Sequence, residues 1–129
     1  MSNLVLMQSD QIIIQAFQAG VQKELQFTEL VKRHQQKLYY QIKRMVLEHA
    51  DADDIAQIVW MKVWEKLGGF KMESEFSTWL FRIGYNETIN FLQKRKKLAI
   101  VHSMDDSEDS NQEVASSNAP KSSQIQIKL

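Results

Sequence analysis

Glycine and proline, the residues that most often interrupt helices, are scarce in this chain. It has four glycines and one proline in 129 residues, and Pro120 lies near the end. Nothing in the first hundred residues therefore forbids long helices. Strand-like alternation is confined to residues 124–129, which have no partner strand in the sequence. The sequence predicts an all-α fold.

Apolar residues recur at helical spacing in four segments, one short and three long. The short helix begins after Ser9 and ends at Gly20. The long helices cover residues 27–47, then residues 51–54 to the glycine pair 68–69, and finally a segment that starts after Ser74 or Ser77 and runs out through residues 94–97. Trp60 and Trp64 lie in the wide apolar stripe of the third helix, so we expect both to be buried. Short connections between these helices predict a compact bundle.

The formal net charge of zero hides two parts of opposite charge. Residues 105–129 carry five acids and two bases, a balance of −3, so residues 1–104 carry +3. The acidic segment is rich in Ser, Asn, Asp and Gln and cannot offset its own ordering entropy. We therefore expect a helical domain over residues 1–104 and a flexible acidic linker or tail over residues 105–129.

Composition narrows the class of protein. With 43% hydrophobic and 25% charged residues, the chain is typical of soluble globular proteins. It has no cysteine, no apolar run near the roughly 18 residues that span a membrane, and a start unlike a signal peptide. It shows no Gly-rich phosphate loop, catalytic triad or metal-ligand spacing. We expect a cytoplasmic binding protein without membrane contact, catalytic activity, cofactor or metal.

One face of the third helix combines apolar and charged residues on the side opposite its tryptophans. Ile58 and Met61 stand in the middle of a charged surface, an arrangement that is typical of a protein-binding patch. The alternative is that both residues only widen the core stripe or are scattered exposed apolar residues. The residues of this face are Asp54, Gln57, Ile58, Met61, Lys62 and Glu65.

The fourth helix carries amides and cations along its non-core face. Asn and Gln side chains pair with base edges, whereas Lys and Arg neutralise phosphates, so this face suits a DNA duplex. A solvated polar face is the alternative, but four adjacent cations at residues 94–97 favour a phosphate site. The residues concerned are Arg82, Asn86, Asn90, Gln93, Lys94, Arg95, Lys96 and Lys97.

The segment between these helices, residues 69–79, mixes aromatic rings, hydroxyl groups and a lysine. Single-stranded bases bind proteins by stacking on aromatic rings and by hydrogen bonds to short polar side chains. The candidate residues for such contacts are Lys71, Ser74, Phe76, Ser77, Thr78 and Trp79. The alternative is that Phe70, Phe76 and Trp79 fill the core at a helix junction.

The order of these motifs resembles conserved region two of bacterial sigma factors, most closely the extracytoplasmic-function group. The resemblance covers roughly residues 10–98. It is carried by the Asp-Ala-Asp-Asp-Ile-Ala-Gln run at 51–57, by Trp60, by the Phe-Ser-Thr-Trp-Leu block at 76–80, by Asn86 and by the cations at 94–97. Upstream, Phe27, Leu30, His34, Leu38 and Tyr39 fit the first long helix of that group.

This resemblance implies a helical domain that docks on the clamp helices of the largest subunit of core RNA polymerase and recognises the −10 element of promoter DNA. It implies that the third-helix face binds polymerase. It also implies that residues 71–76 form a pocket for a flipped base of the non-template strand, with Trp79 beside the melted strand and Asn86 facing duplex. Extruding a base costs a few kcal/mol of stacking, so a shaped pocket discriminates as the DNA melts.

Two departures from the family pattern bear on function. Ile58 stands where the family usually has an acid, and the family's helix-turn-helix that reads the −35 element has no counterpart in these 129 residues. The leading hypothesis is a transcription initiation factor that helps to open promoter DNA, with an anti-sigma factor as a further possible partner. The alternative is a helical interaction module that sequesters polymerase or an anti-sigma factor without recognising DNA.

Overall fold

The computed structural model describes residues 9–105 of the chain, and their side chains as far as residue 102. The described part contains four α-helices and a 3₁₀ turn and no strand, which confirms the all-α prediction. The helices are α1 (Asp10–Gln18), α2 (Lys23–Lys43), α3 (His49–Lys66) and α4 (Phe76–Asp105). The acidic tail predicted for residues 105–129 lies almost entirely outside the described residues.

The two ends of α1 follow the sequence signals. The Ser9 side chain accepts a hydrogen bond from the backbone N–H of Ile12 at 3.3 Å, as expected of an N-cap. The chain leaves α1 through Gly20, whose φ of 80° is readily adopted by glycine. Gln22 then adopts a left-handed φ of 48° directly before α2.

The boundaries of α2 and α3 differ from the prediction. α2 begins at Lys23 rather than Phe27 and ends at Lys43, although Met45 and Val46 remain buried in the turn that follows. α3 begins at His49, two residues before the predicted start at residues 51–54, and no side chain caps its first turn. It gives way to the 3₁₀ turn Leu67–Gly69, where the glycine pair was expected to end it.

α4 is longer than the apolar pattern indicated. It starts at Phe76, between the two predicted serines, and continues for 30 residues past the cations to Asp105. Leu80, Thr88 and Leu92 are buried along its inner side, and Ala99 is the last buried residue that the structure describes. Beyond it the side chains of residues 100–102 are exposed.

A single core joins the four helices, and α2 packs against each of the other three. Its fully buried members include Leu30, Leu38, Ile42, Val59, Val63 and Leu80. Trp60 is partly buried against this core, as predicted. The prediction for Trp64 is wrong: the residue is 38% exposed, because the apolar stripe of α3 is wider than the surface that the neighbouring helices cover.

Candidate functional site

The outer face of α3 consists of the six residues Asp54, Gln57, Ile58, Met61, Lys62 and Glu65. Ile55, Val59 and Val63 take the inward positions of the helix, which leaves Ile58 and Met61 on the opposite side. Met61 is 63% exposed and Ile58 is 39% exposed. These two residues therefore do not widen the core, and one of the alternative interpretations of the sequence is removed.

Lys62 is the one member of the outer face that turns toward another helix. Its Nζ lies 3.1 Å from Oε2 of Glu87 on α4. The remaining charged and amide members, Asp54, Gln57 and Glu65, are exposed. The face thus presents an apolar centre of two residues within a polar rim, as protein-binding surfaces do.

A cleft of about 490 Å³ borders the outer face on the side of α2, and its residues were not among the predicted site residues. A sequence signal for this cleft was present in α2, where two glutamines at 35–36 are followed one helical turn later by two tyrosines at 39–40. Residues at this spacing lie side by side on a helix and can form an amphipathic wall of a groove. The lining residues are Gln35, Gln36, Tyr39, Tyr40, Asp53, Ala56, Gln57 and Trp60.

Tyr39 and His49 connect the two walls of this cleft. The Tyr39 hydroxyl and His49 Nδ1 form a hydrogen bond, and His49 Nε2 lies 3.1 Å from Oδ2 of Asp53. Loss of hydration raises the pKa of the Tyr39 phenol, and the nearby Asp53 carboxylate raises it further. The phenol is therefore neutral at physiological pH and remains available for hydrogen bonding.

Hydrogen bonds from α1 hold the start of the segment between α3 and α4. Gln18 Nε2 donates hydrogen bonds to the carbonyl oxygens of Leu67 at 3.0 Å and Phe70 at 2.8 Å. Met72 adopts a φ of 59°, a left-handed conformation that is uncommon for a residue other than glycine and is often found at functional sites. The start of this loop is therefore fixed and its tip is strained.

The aromatic residues of the loop have different environments. Phe76 is 3% exposed and its ring lies 5.1 Å from that of His34, so it belongs to the core. His34 also pairs with Asp10 at 2.8 Å, which places it at the boundary of the core. Trp79 is half-buried, with its ring 4.6 Å from that of Phe70. Of the predicted aromatic base contacts, Trp79 is the accessible one.

Two clefts flank the loop and differ in charge. One, of about 630 Å³, lies toward α1 and contains the carboxylates of Asp10, Glu73 and Glu75 together with three serine hydroxyls. The other, of about 600 Å³, contains the cations Lys66, Lys71 and Arg82 beside Trp79, together with the acids Glu65 and Glu73. Ser74 contributes to both clefts and Ser77 to the acidic one. Lysine and arginine next to an aromatic ring are suited to a phosphate chain with stacked bases.

The outer face of α4 consists of Arg82, Asn86, Asn90, Gln93, Lys94 and Lys97. All six are exposed, as are Thr78 before them and Lys96 beside them. The inward direction is taken by Leu80, Thr88 and Leu92, which lie on the side of the helix opposite these polar residues. The structure therefore brings the predicted amides and lysines together on one surface.

Arg95 departs from the other predicted DNA contacts. Its guanidinium is directed toward α3, where it forms two hydrogen bonds with the Asp51 carboxylate, at 2.7 and 3.1 Å. Asp51 lies in the first turn of α3 and is a buried partner of this cation. Of the four adjacent cations, Lys94, Lys96 and Lys97 are exposed and Arg95 is half-buried.

Among the described helices, none combines the length and the apolar character needed to cross a bilayer.

Comparisons with known proteins identify the family of this chain. A family model described as Sigma-70 region 2 matches residues 30–98. The RNA polymerase sigma-H factor of Pseudomonas aeruginosa is 34% identical over 92 residues, which cover 71% of this chain and 47% of that protein. The ECF RNA polymerase sigma-E factor of Escherichia coli K12 is 36% identical over 84 residues, or 65% of this chain and 42% of that protein. The chain thus matches less than half the length of either relative.

A solved structure also matches. It is the NMR structure of the complex formed by an engineered region 2 of sigmaE with GTAAAA, which is 34% identical in sequence. The match has a TM-score of 0.61 and covers 68% of this chain and 90% of that one.

Proposed function

The chain belongs to the sigma-70 region 2 family, in the form found in extracytoplasmic-function sigma factors, and on this premise we propose that it acts in transcription initiation. It binds core RNA polymerase through the outer face of α3 and promoter DNA through α4 and the loop before it. It has no catalytic activity of its own and helps to open the DNA by capturing a base of the −10 element.

The observation that carries the DNA-binding part is the continuous outer face of α4. Its amides at positions 86, 90 and 93 and its cations at 82, 94 and 97 are all exposed on one surface. The amides pair with base edges and the cations with phosphates. The loop at the start of this surface supplies Trp79 and Lys71 for a single strand. That an engineered region 2 of sigmaE forms a complex with GTAAAA supports DNA binding by a domain of this kind.

The polymerase-binding part is supported by Ile58 and Met61. An exposed apolar pair within a rim of Asp54, Gln57 and Glu65 matches the composition of a protein interface. We place the clamp helices of the largest polymerase subunit on this face, with the Tyr39 cleft at its edge. An anti-sigma factor that blocks initiation would have to cover the same face or the face on α4.

DNA binding is tested with a fluorescently labelled forked DNA whose single strand carries GTAAAA. The triple substitution of Lys94, Lys96 and Lys97 by alanine should weaken binding and lower the slope of log K against log salt. We expect the magnitude of this slope to fall by about 0.7 to 0.9 for each phosphate contact that is lost. An unchanged slope would show that these lysines are only solvated. Substitution of Lys71 and Ser74 should instead change the preference between GTAAAA and a scrambled strand.

Polymerase binding is tested with Met61→Asp, which places a charge at the apolar centre of the α3 outer face. We expect at least a tenfold loss of affinity for core polymerase, since central interface residues often contribute about 2 kcal/mol. Leu25→Asp is the matched control, because Leu25 on α2 is equally exposed, at 59%, but lies off this face. Equal losses for both variants would contradict the docking assignment.

The two parts of the proposal are separated by crosslinking the protein to the labelled DNA with and without core polymerase. Crosslinks that increase with polymerase support a transcription initiation factor. Polymerase binding without crosslinks at any concentration would indicate the alternative, an interaction module that sequesters its partner.

A further inference from the structure

The Asp51–Arg95 pair joins the two helices to which we assign partner binding. Asp51 lies in the first turn of α3 and its side chain is 9% exposed. Arg95 donates a hydrogen bond to each carboxylate oxygen of Asp51. Its guanidinium also lies 4.8 Å from the ring centre of Phe91, one turn earlier on α4. A bidentate contact between arginine and a carboxylate fixes the orientation of the guanidinium as well as its distance from the carboxylate.

This pair is among the last attachments of α4 to the bundle. Arg95 and Ala99 lie on the same side of the helix, four residues apart, and Ala99 is 5% exposed. The residues after Ala99 are exposed as far as residue 102, and Leu98 is 61% exposed. The direction of the final part of α4 therefore depends on Arg95 and Ala99.

The neighbouring lysines have the opposite environment. Lys94, Lys96 and Lys97 are exposed, and within residues 9–102 the structure records no ion pair for them. Since side chains on a helix point about 100° apart per residue, directing residue 95 toward α3 turns residues 94 and 97 toward solvent. Arg95 is thus the one cation of residues 94–97 that does not face outward.

We propose that Arg95 is a positioning residue: through Asp51 it fixes the end of α4 so that Lys94 and Lys97 face the phosphates, and it makes no phosphate contact itself. The proposal rests on the proposed function in that it needs α4 to bind DNA. It adds a role for Asp51, an acid that simple electrostatics would make unfavourable for DNA binding.

The decisive variant is Asp51→Asn. A phosphate-contact role and a positioning role for Arg95 predict different changes in DNA affinity for it. If Arg95 contacts phosphate, removing the nearby acid leaves DNA affinity unchanged or raises it. If Arg95 is a positioning residue, affinity falls about fivefold because the helix end must be ordered on binding. The slope of log K against log salt stays at the wild-type value, because the same lysines contact phosphates in the complex.

Arg95→Met is the second variant, since it removes both hydrogen bonds to Asp51 but keeps an unbranched apolar side chain. It also leaves Asp51 at the favourable N-terminus of α3. It should give a similar fall in affinity with an unchanged slope, and the double variant should lose little more than either single one. A slope lower by about 0.7 to 0.9 would identify Arg95 as a phosphate contact and overturn the proposal. If Asp51→Asn does not fold by circular dichroism, Arg95→Met decides alone.

Glu87→Gln is the matched control, because it breaks the other ion pair between α3 and α4, the 3.1 Å contact with Lys62. It removes one acid from the same helix pair but lies seven residues, about two turns, before the first of the lysines, so DNA affinity should not fall. An equal loss in this variant would show a general effect of loosening the helices and would overturn the proposal. If the wild-type protein itself binds no DNA, the proposed function fails, whereas wild-type binding with a tighter Asp51→Asn variant refutes the positioning role alone.

Discussion

Gly84 lies where α4 passes against α2, and here the identity of one residue sets how closely two helices approach. A Cβ at this position would lie 2.9 Å from Cδ1 of Leu38 and 3.1 Å from Oε1 of Gln41. Leu38 is fully buried and cannot move aside without disturbing its own neighbours. Gln41 is held by a 2.9 Å hydrogen bond from its Nε2 to the Phe81 carbonyl. The approach of α2 and α4 therefore depends on the missing side chain.

Gly84→Ala should destabilise the protein by about 1 kcal/mol. Overpacking costs about 1 to 3 kcal/mol, and the gain in helix propensity of up to about 1 kcal/mol offsets part of it. The measurement is urea unfolding followed by circular dichroism. Gly68→Ala is the control, since a Cβ there meets nothing within 4 Å; a Gly84→Ala variant as stable as this control would contradict the steric argument.

At the scale of single elements, α1 supports the loop between α3 and α4, which is the candidate DNA-binding loop. Gln18 donates to two carbonyl oxygens where the chain leaves α3, at Leu67 and Phe70. Gln18→Ala leaves both acceptors without this partner, so we expect a loss of about 1 to 2 kcal/mol and faster amide exchange over residues 70–75. Gln15→Ala, an exposed glutamine of the same helix, is the control. Equal exchange in the two variants would show that α1 does not hold the loop.

The contact of Tyr39 on α2 with α3 should make the stability of the protein fall at alkaline pH. The pKa of Tyr39 is raised in the folded protein by loss of hydration and by Asp53. The folded state therefore holds the phenolic proton more tightly than the unfolded state, and stability falls as pH rises from the ordinary tyrosine value through the raised one. Unfolding experiments on either side of this range should show the loss in the wild type, and Tyr39→Phe should reduce it. The same pH dependence in both proteins would assign the effect to another group.

Sequence patterns predicted the elements better than the direction of particular side chains. Apolar spacing and the scarcity of glycine and proline were enough for four helices, since both act locally. The start of α2 was missed because Gln22 in a left-handed conformation provides no capping signature. Arg95 could not be told from the three lysines beside it, because the partner that turns it inward lies 44 residues away. The exposure of Trp64 was likewise decided by where the neighbouring helices end.

At the scale of the whole molecule, the opposite charges of the two parts should affect DNA binding. Residues 105–129 carry a balance of −3, and residues 1–104 carry +3. The acids begin at Asp105, the last residue of α4, and so lie near its basic segment in sequence. Replacing the five acids of residues 105–113 by the corresponding amides should strengthen DNA binding a few-fold at low salt, because long-range repulsion is removed.

Screening provides the control for this experiment. At about 1 M salt the Debye length is about 3 Å, and the two proteins should bind DNA equally. A difference that persists at high salt would mean that the acids act by direct contact and not through their field.

The packing of Trp79 gives the protein an optical property. Its indole lies 4.6 Å from the ring of Phe70 and is half-buried at the cleft that contains Lys71 and Arg82. Trp60 and Trp64 lie instead against the ring of Phe27. With Trp60 and Trp64 replaced by phenylalanine, the remaining tryptophan fluorescence comes from Trp79 alone. A base stacking beside this indole should quench that emission, so the occupancy of the loop can be followed in real time without a label on either molecule.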